Sequence, residues 1–419
     1  SRVYAAIDLD AVESNMRAMK ASLGPATSMI GVVKTDGYGH GAVPVARAID
    51  PYVKGYAVAT IDEAIILRRH GIQKMILVLG VTHESRFEDL VRYDIRPAMF
   101  RYEEAGKLSE TAVKNGARAN IHLAVDTGMS RIGMTPDEAS ADEAARISRL
   151  PGICIEGMFT HFARADEADK TFAREQLRAF LDFSQMVTDA GVSIPVLHCA
   201  NSAGIMDLKE SHGTAVRAGI ILYGLYPSDQ VQREALFLEP AMELKSFITY
   251  IKEIGPGAAV SYGGTFVADC PMRLATVSIG YGDGYPRSLS NKGEVLVHGM
   301  RARILGRICM DQLMIDVTGI PEAREGDEVT LLGRDGTEEI TMEELAEILG
   351  FVDSSHISKV FAARIGIKAN DFRKTYQNVY EMCNIKMTRD AYDIVAYIYR
   401  NYAEDLTPQN TADRFHISI

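Results

Sequence analysis

The sequence predicts an α/β protein in which a (β/α)8 barrel is followed by a mostly β domain and then by a helical C-terminal extension. Three observations lead to this fold class. Eight short apolar runs alternate with helical stretches in the first part of the chain. The texture then changes to β-branched residues, glycine and short alternating segments. The final residues, 371–419, return to a helical pattern that is rich in tyrosine.

The apolar runs each end in polar or glycine residues, as buried parallel strands do. They cover Met29–Lys34, Gly55–Thr60, Met75–Gly80, Arg96–Phe100, Ile121–Asp126, Ile155–His161, Val196–Asn201 and Ala215–Ile220. Residues 61–71 and 170–190 follow two of these runs with helical spacing, and the first stops at a glycine. A doubly wound sheet shows the same alternation, but the count of eight favours a barrel. We therefore expect the barrel to occupy residues 1–230.

The β domain is predicted from a different pattern. Residues 241–332 contain short alternating segments, such as Glu294–His298 before Gly299. Residues 338–349 are predicted to form one helix. We place this β-rich domain at residues 231–370 and the helical extension at residues 371–419.

Composition narrows the class of protein. The chain has 419 residues and a formal net charge of −11, spread along its length, which argues against nucleic acid or an anionic membrane as a partner. No apolar run approaches the roughly 20 residues that span a bilayer, and no signal-peptide pattern is present. The five cysteines are scattered, with no CxxC pair and no metal-ligand spacing. We expect a cytoplasmic protein with reduced thiols and no bound metal.

The most informative stretch is Val-Lys-Thr-Asp-Gly-Tyr-Gly-His-Gly-Ala at residues 33–42. It places Lys34 at the end of a buried strand, just before a glycine-rich turn. A lysine in that position loses hydration, which favours the neutral amine that reacts with aldehydes. Taken alone, a lysine at a loop is more often a surface residue.

The ends of the other runs supply a partner for Lys34. In a barrel, the loops after strands seven and eight frequently bind phosphate through backbone N–H groups and hydroxyls. Ser202 and the backbone of Gly219 and Ile220 occupy those positions here. A lysine on strand one that faces such a phosphate cradle is what a phosphorylated aldehyde cofactor requires.

The chain then resembles the alanine racemases, which use pyridoxal 5'-phosphate (PLP). The resemblance extends to about residue 350 and rests on segments that occur in the family's order and spacing. These segments are the stretch at 33–42, Val125–Arg131, Thr160–Ala163, Ala200–Ala203, Val216–Arg217 with Tyr223–Gly224, Val260–Gly263, Gly280–Arg287 and Gly306–Gln312.

The resemblance implies a two-base racemisation of alanine that supplies D-alanine for peptidoglycan. Lys34 binds PLP and serves one face of the substrate, and Tyr262 serves the other. Because a tyrosine ordinarily keeps its proton at neutral pH, His161 and Arg217 are expected to supply positive charge towards it. Arg217 is also implied to lie against the pyridine nitrogen, where an arginine can only donate. The ring nitrogen then stays unprotonated, which suppresses transamination.

The remaining contacts are implied in the same way. The substrate is expected to contact Arg131, the Met310 backbone N–H and Tyr281, and the cofactor phosphate is expected to contact Tyr38, Ser202, Gly219 and Ile220.

Two positions depart from the family pattern. Ala124 stands where many alanine racemases carry a lysine, often carbamylated, that braces the arginine matched by Arg131. The family's entrance tyrosine is matched either by Ser354, in an alignment without gaps, or by Tyr380 after an insertion. With Ser354 the pocket is wider and more polar, as in the serine racemases of vancomycin resistance.

Other functions remain open on these residues. The nearest is a racemase for serine or a broader set of amino acids, which Ala124 and the C-terminal ambiguity suggest. A barrel-type PLP decarboxylase shares the two-domain plan but pairs the pyridine nitrogen with a carboxylate, whereas this chain offers Arg217. A non-catalytic PLP-binding protein is a single barrel and would lack Tyr262.

A homodimer with shared active sites is expected as well. Lys34 and Tyr262 must reach opposite faces of one flat cofactor, yet they lie in different domains. A twofold dimer in which each β domain covers its partner's barrel satisfies this requirement, and the resemblance implies the same.

Overall fold

A ring of parallel strands forms the first part of the molecule. The structure is a computed structural model, and it describes residues 2–350. After an initial strand, β1 (Val3–Ile7), the ring is built from β2 (Ser28–Val32), β3 (Gly55–Val58), β4 (Met75–Val78), β5 (Arg96–Met99), β6 (Ala119–Ala124), β7 (Ile153–Phe159), β8 (Val196–His198) and β9 (Ala215–Ala218). Each strand pairs in parallel with the next from β2 to β8, and β9 pairs with β2. Between β8 and β9, Thr214 N–H donates to Leu197 O at 3.2 Å. The barrel is therefore nearly closed, as predicted.

Helical segments lie between the strands of the barrel, and the one that begins at Lys34 is a single turn with largely left-handed backbone angles. They are α1 (Leu9–Ser22), α2 (Lys34–Tyr38, a single turn), α3 (Ala42–Ile49), α4 (Ile61–Arg69), α5 (Phe87–Arg92), α6 (Tyr102–Lys114), α7 (Glu138–Ser148), α8 (Thr171–Asp189) and α9 (Ser202–Asp207). The two helices predicted from spacing correspond to α4 and α8. The chain leaves α4 through Gly71, whose φ of +89° explains the glycine stop.

The barrel interior is filled by side chains from alternating strand positions. One buried cluster contains Ile30, Val32, Ala57, Met75, Leu77, Val196 and Ala215. A second consists of Ala98, Ala124 and Phe159, so Ala124 packs inside the barrel. On the same strands, two residues earlier, Arg96, His122 and Gly157 face the same side.

The second domain is an antiparallel β structure, as predicted. Its strands are β10 (Met242–Ile254), β11 (Ala259–Val260), β12 (Phe266–Val267), β13 (Met272–Val277), β14 (Glu294–Val297), β15 (Met300–Arg303), β16 (Leu313–Asp316), β17 (Glu328–Asp335) and β18 (Glu338–Ile340), followed by α10 (Met342–Leu349). The main sheet has the order β15-β14-β17-β10-β13-β16, and β11 and β12 form a separate hairpin.

Two details differ from the sequence expectations. Strand β1 pairs antiparallel with β10 and so belongs to the second sheet, although it falls within the residues expected for the barrel. The helix predicted over 338–349 begins only at Met342, because Glu338–Ile340 pair with the end of β17. Thr341 caps that helix by accepting from Glu344 N–H at 3.1 Å.

Within residues 2–350 no helix combines the length and apolar character needed to cross a membrane. The same residues hold no cluster of three or more potential metal ligands. The predicted extension, residues 371–419, lies outside the described residues, as do Ser354 and Tyr380.

Candidate active site

Lys34 lies at the carboxyl end of β2, on a turn with left-handed backbone geometry. Thr35, Asp36 and Gly37 have φ/ψ of 55°/50°, 51°/50° and 63°/41°, and Tyr38 continues with a φ of 54°. For residues with a Cβ this geometry costs roughly 1–2 kcal/mol each. Such strain persists only where the surroundings enforce it, and it is concentrated at functional sites.

Neighbouring side chains hold this turn. Glu63 Oε1 accepts from Thr35 N–H at 2.8 Å, while its Oε2 accepts from Ala59 N–H at 2.7 Å. His40 Nδ1 lies 3.1 Å from Gly37 O, and burial lowers the pKa of His40 to about 4. The neutral ring can therefore donate its Nδ1 proton to that carbonyl. The loops after β2 and β3 are thus fastened together beside Lys34.

A cradle of hydroxyl and backbone groups faces this turn. Gly219 N–H donates to Ser202 Oγ at 3.2 Å. A Cβ on Gly219 would lie 3.1 Å from Ser202 Oγ and 3.4 Å from the Tyr38 hydroxyl oxygen. The bare Gly219 backbone therefore leaves room between two hydroxyls. Lys34 Nζ lies 5.9 Å from the centroid of the Tyr38 ring, so the lysine and the cradle are neighbours.

Arg217 is buried at the end of β9 and is held by backbone carbonyls. Its Nη1 donates to His198 O at 2.8 Å, and its Nη2 donates to Thr160 O at 2.8 Å and to Cys199 O at 3.1 Å. The guanidinium also lies 5.6 Å from the Phe159 ring centroid. Burial lowers the pKa of Arg217 to about 10, so it remains a cation at neutral pH.

His161 contacts Arg217 but does not share its charge. Arg217 Nη2 lies 3.2 Å from His161 Nδ1, and an arginine can only donate, so that nitrogen accepts. Burial, followed by the charges of Arg217, Arg131 and Lys34, lowers the pKa of His161 to about 3. The positive charge expected on His161 is therefore absent, and Arg217 carries it alone in this pair.

Arg131 lies on the loop after β6, at the same end of the barrel. Asp126 shapes this loop by accepting from Gly128 N–H at 3.0 Å and from Ser130 N–H at 2.9 Å. Arg131, Asp126 and Ser130 line a cavity of about 530 Å³ that Arg101 also borders. The positive charge of Arg131 contributes to lowering the pKa of both His161 and Arg217, and the charge of Lys34 contributes to lowering that of His161.

The three predicted residues of the β domain lie on its surface. The Tyr262 side chain is 69% exposed, Met310 is 61% exposed and Tyr281 is 39% exposed. Tyr281 N–H donates to Cys309 O at 3.0 Å, which brings the Tyr281 and Met310 segments side by side. Ser261, just before Tyr262, donates to Arg307 O and joins the same segment. The predicted site residues thus form two groups, one at the barrel mouth and one on the β domain.

Both domains match one family. The sequence model of the alanine racemase N-terminal domain matches residues 7–227, and that of the C-terminal domain matches residues 241–365. The chain belongs to the alanine racemase family. The alanine racemase of Desulforamulus reducens is 44% identical over 352 residues, covering 84% of this chain and 94% of the relative.

Solved structures agree with this family membership. The alanine racemase of Clostridium difficile 630 is 40% identical, with a TM-score of 0.82 over 86% of this chain and 93% of that one. A histidine racemase from Leuconostoc mesenteroides subsp. sake is 29% identical, with a TM-score of 0.80 over 87% of this chain and 97% of that one. The alanine racemase fold therefore extends over the described residues.

In this alanine racemase family member, the sequence alone did not indicate the contacts of two supporting residues, Glu63 and His198. Glu63 was visible as the last residue of the capping box Thr60-Ile61-Asp62-Glu63, but nothing in that motif indicated a bond to Thr35. His198 lies within the apolar run Val196–Asn201, and nothing in that run indicated that its Nδ1 lies 2.9 Å from Arg217 Nη1. Both contacts depend on how the strands converge.

The residues at the barrel mouth fit PLP. The donor set of Tyr38, Ser202 and the Gly219–Ile220 backbone suits a phosphate, because it offers hydroxyls and N–H groups around an open backbone position. Burial raises the pKa of Tyr38 to about 12, so its hydroxyl keeps the proton that it would donate. Lys34 supplies an amine beside that donor set, and Arg217 supplies a cation to an aromatic ring.

Proposed function

We propose that the protein is a PLP-dependent alanine racemase that uses Lys34 and Tyr262 as its two bases and supplies D-alanine for peptidoglycan. The observation that carries the proposal is the juxtaposition of Lys34 with the cradle of Tyr38, Ser202 and Gly219 in a member of the alanine racemase family. Lys34 would hold PLP covalently, and the cradle would hold its phosphate.

When bound, PLP supplies an electron sink for the α-carbon of the amino acid. The protein then has to move protons at that carbon and bind the carboxylate. Lys34 Nζ takes or returns the proton on one face, and Tyr262 Oη does so on the other. Arg131, Tyr281 and the Met310 N–H bind the substrate carboxylate side, where a guanidinium matches a carboxylate in shape and charge.

Arg217 favours racemisation over decarboxylation. Its Nη1 and Nη2 atoms are occupied by carbonyls and histidines, and none of these bonds uses Nε. Nε–H is therefore the donor that we assign to the pyridine nitrogen. An arginine cannot protonate that nitrogen, whereas the carboxylate of a decarboxylase would keep it protonated.

The same proposal includes a homodimer. Tyr262 is 69% exposed in one chain, which is unsuited to a proton-transfer group that has to work away from bulk water. Met310 and Tyr281 are exposed on the same surface of the β domain. We propose that this surface covers the barrel mouth of a second copy, so that each site takes Lys34 from one chain and Tyr262 from the other.

The first test is a chiral assay of the purified protein with PLP over a panel of L-amino acids. We expect L-alanine to be converted to D-alanine with a higher kcat/KM than L-serine. Release of CO2 without racemisation would instead assign the protein to the decarboxylases. A larger kcat/KM for serine would favour the wider entrance that Ser354 implies.

The second test concerns Lys34. Lys34→Ala should lose the covalent cofactor and nearly all racemisation, because the amine beside the phosphate cradle is gone. Lys114→Ala, at the outer end of α6, is the matched control and should keep both. Visible absorbance and mass spectrometry after borohydride reduction report the covalent link. Substantial racemisation by Lys34→Ala would remove the central assignment.

A racemase of broader specificity is the second candidate. The observation in its favour is the structural similarity to a histidine racemase. Ala124, with its small side chain inside the barrel beside Phe159, also leaves out the lysine that braces Arg131 in many alanine racemases. The same amino-acid panel distinguishes the two candidates, since a broad racemase would convert large substrates at rates comparable to alanine.

A further inference from the structure

A chain of polar side chains leads from Arg217 into the barrel interior. His198 Nδ1 lies 2.9 Å from Arg217 Nη1, and His198 Nε2 lies 2.8 Å from His122 Nδ1. His122 Nε2 is 3.4 Å from Glu156 Oε2, and Arg96 Nε donates to the same oxygen at 2.8 Å. Both histidines are fully buried, with 0% of their surface exposed.

The two ends of this chain fix the direction of every hydrogen bond in it. In the observed position of the guanidinium, Arg217 donates to His198 Nδ1, so the hydrogen of the neutral His198 ring sits on Nε2. That hydrogen points at His122 Nδ1, which accepts in turn, so His122 carries its own hydrogen on Nε2. An ionised Glu156 can only accept, which suits the last step. The directions imposed from the two ends agree.

The ionisation states support this reading. Burial alone would raise the pKa of Glu156, but hydrogen bonds from His122 and Arg96 outweigh it and lower that pKa to about 2. Burial lowers the pKa of His122 and brings the pKa of His198 well below its ordinary value. At neutral pH this row of side chains therefore has a cation, Arg217, at one end and an anion, Glu156, at the other. The two histidine rings between them are neutral.

The barrel is built to make room for these contacts. The pairing of β6 with β7 matches Ile121 to Ile155 but His122 to Gly157, so Glu156 is the extra residue of a bulge. Bulges redirect side chains and are uncommon in parallel sheets. A Cβ on Gly157 would lie 2.6 Å from His122 Nδ1 and Cε1, so the absence of a side chain there leaves the space that the ring fills.

We propose that Glu156 and His122 are positioning residues for Arg217, which act by holding His198 in the form that carries its hydrogen on Nε2. The proposal rests on the proposed function where it takes Arg217 to contact the cofactor ring. If His198 carried its hydrogen on Nδ1, a donor would face Arg217 Nη1 and the guanidinium would be turned away from its present carbonyl partners. Glu156 makes that form unfavourable from the far side of the barrel.

The direct test is the position of the hydrogen on His198. Nitrogen NMR of the full chain, labelled with ¹⁵N at histidine and loaded with PLP, distinguishes a protonated ring nitrogen from a bare one. His198→Gln assigns the signal. We expect a neutral His198 with hydrogen on Nε2. A hydrogen on Nδ1, or a doubly protonated ring, overturns the proposal whatever reaction the protein catalyses.

Three variants test the role of the hydrogen-bonded side chains that lead from Arg217 to Glu156. His122→Phe removes the link, Gly157→Ala displaces the His122 ring without removing a titratable group, and Glu156→Gln keeps an acceptor oxygen but removes its charge. Glu143→Gln, on α7, is the control, because Glu143 accepts from Tyr102 N–H away from the chain. We expect the first two to lower kcat roughly 10-fold to 100-fold with little change in KM, as small misplacements of a catalytic contact do. Glu156→Gln should have a smaller effect in the same direction.

These variants also have a readout that does not depend on turnover. In His122→Phe and Gly157→Ala, the His198 signal should shift towards the form with hydrogen on Nδ1, and the affinity for PLP should fall. If either variant fails to fold, the wild-type NMR measurement still tests the position of the His198 hydrogen, and Glu156→Gln still tests the effect of the Glu156 charge. Unchanged His198 signals and kcat in all folded variants would show that these side chains only fill space inside the barrel.

Discussion

Burial lowers the pKa of both His161 and Arg217, with opposite results for their charge at neutral pH. It lowers the pKa of His161 to about 3, far below neutrality, so the ring is uncharged. It also lowers the pKa of Arg217, but only to about 10, so the guanidinium keeps its charge. In the proposed reaction, the cation that assists proton transfer is therefore a residue that cannot take part in it, since arginine does not give up its proton at neutral pH.

Gly219 offers a test at a single residue. Gly219→Ala places a methyl group 3.1 Å from Ser202 Oγ and 3.4 Å from the Tyr38 hydroxyl, in the space proposed for the phosphate. We expect the affinity for PLP to fall about 10-fold or more, the loss of one good polar contact being worth about that much. Titration of the PLP-free protein with PLP, followed by absorbance, measures the change.

The control is Gly106→Ala in the middle of α6, where a Cβ meets nothing within 4 Å. It should bind PLP as the wild type does and gain up to about 1 kcal/mol of stability, as alanine does over glycine in a helix. Equal PLP affinity in both variants would show that Gly219 does not border the phosphate site.

At the level of elements, the left-handed turn after β2 depends on the loop after β3. Glu63 bridges them by accepting from Thr35 and Ala59, while also capping α4 with Thr60. This carboxylate is therefore one of the contacts that hold the strained turn in its geometry. Lys34, next to Thr35, is positioned by the same contact.

Glu63→Ala should destabilise the fold by about 1–2 kcal/mol, as the loss of a helix cap does, and should also slow the covalent attachment of PLP. Asp137→Ala is matched to it, because Asp137 caps α7 by accepting from Ser140 N–H at 2.9 Å, far from the turn. Urea unfolding and the rate of visible absorbance change on adding PLP measure the two effects. If both variants attach PLP equally fast, Glu63 acts on stability alone.

The elements differ in how well sequence predicts them. The barrel strands were predictable because each is a buried apolar run, and no strand end differs from the end of its run by more than three residues. Strand β1 was not, because Val3–Ile7 pairs with β10, more than two hundred residues away. Glu338–Ile340 carry acidic residues typical of a helix start, yet pairing with β17 makes them a strand.

The residues of the candidate site also differ in how well the sequence predicts them. Lys34, Ser202 and Gly219 stand in local motifs, and a motif can be read from one stretch of sequence. Glu156 and His122 do not, because their contact depends on a bulge and on the side-chain space left by Gly157. Contacts that form where separate strands converge can be recognised only in the three-dimensional structure.

For the molecule as a whole, buried neutral histidines make stability depend on pH. The pKa values of His40 and His161 are lowered to about 4 and about 3, and those of His122 and His198 are lowered as well, each chiefly by burial. In the unfolded chain these groups take up protons near pH 6.5. Stability should therefore be full above pH 6.5 and fall as the pH drops towards 4.

In that pH range, each such histidine makes the free energy of unfolding change by up to about 1.4 kcal/mol per pH unit. Urea unfolding at a series of pH values should show the slope, and His40→Gln should reduce it by about one histidine's share. His70→Gln, at an exposed position, should leave it unchanged. A stability that is flat between pH 6.5 and 4 would contradict the neutral state of the buried rings.

Mixing two inactive variants tests the proposed sharing of the active site between chains. If each site takes Lys34 from one chain and Tyr262 from the other, Lys34→Ala and Tyr262→Phe homodimers should each be nearly inactive. After equal mixing and subunit exchange, about half of the dimers contain one chain of each kind, and one of the two sites in such a dimer is intact. Activity should then recover to roughly a quarter of the wild-type value, by the same count of sites.

The outcome depends on which chain supplies which residue, and so it separates the two arrangements. If Lys34 and Tyr262 came from the same chain, every site in a mixed dimer would carry one defect and no activity would return. Differently tagged subunits and native mass spectrometry establish that exchange has taken place. Exchange without recovery would place both bases in one chain, and the exposed Tyr262 surface would then need another explanation.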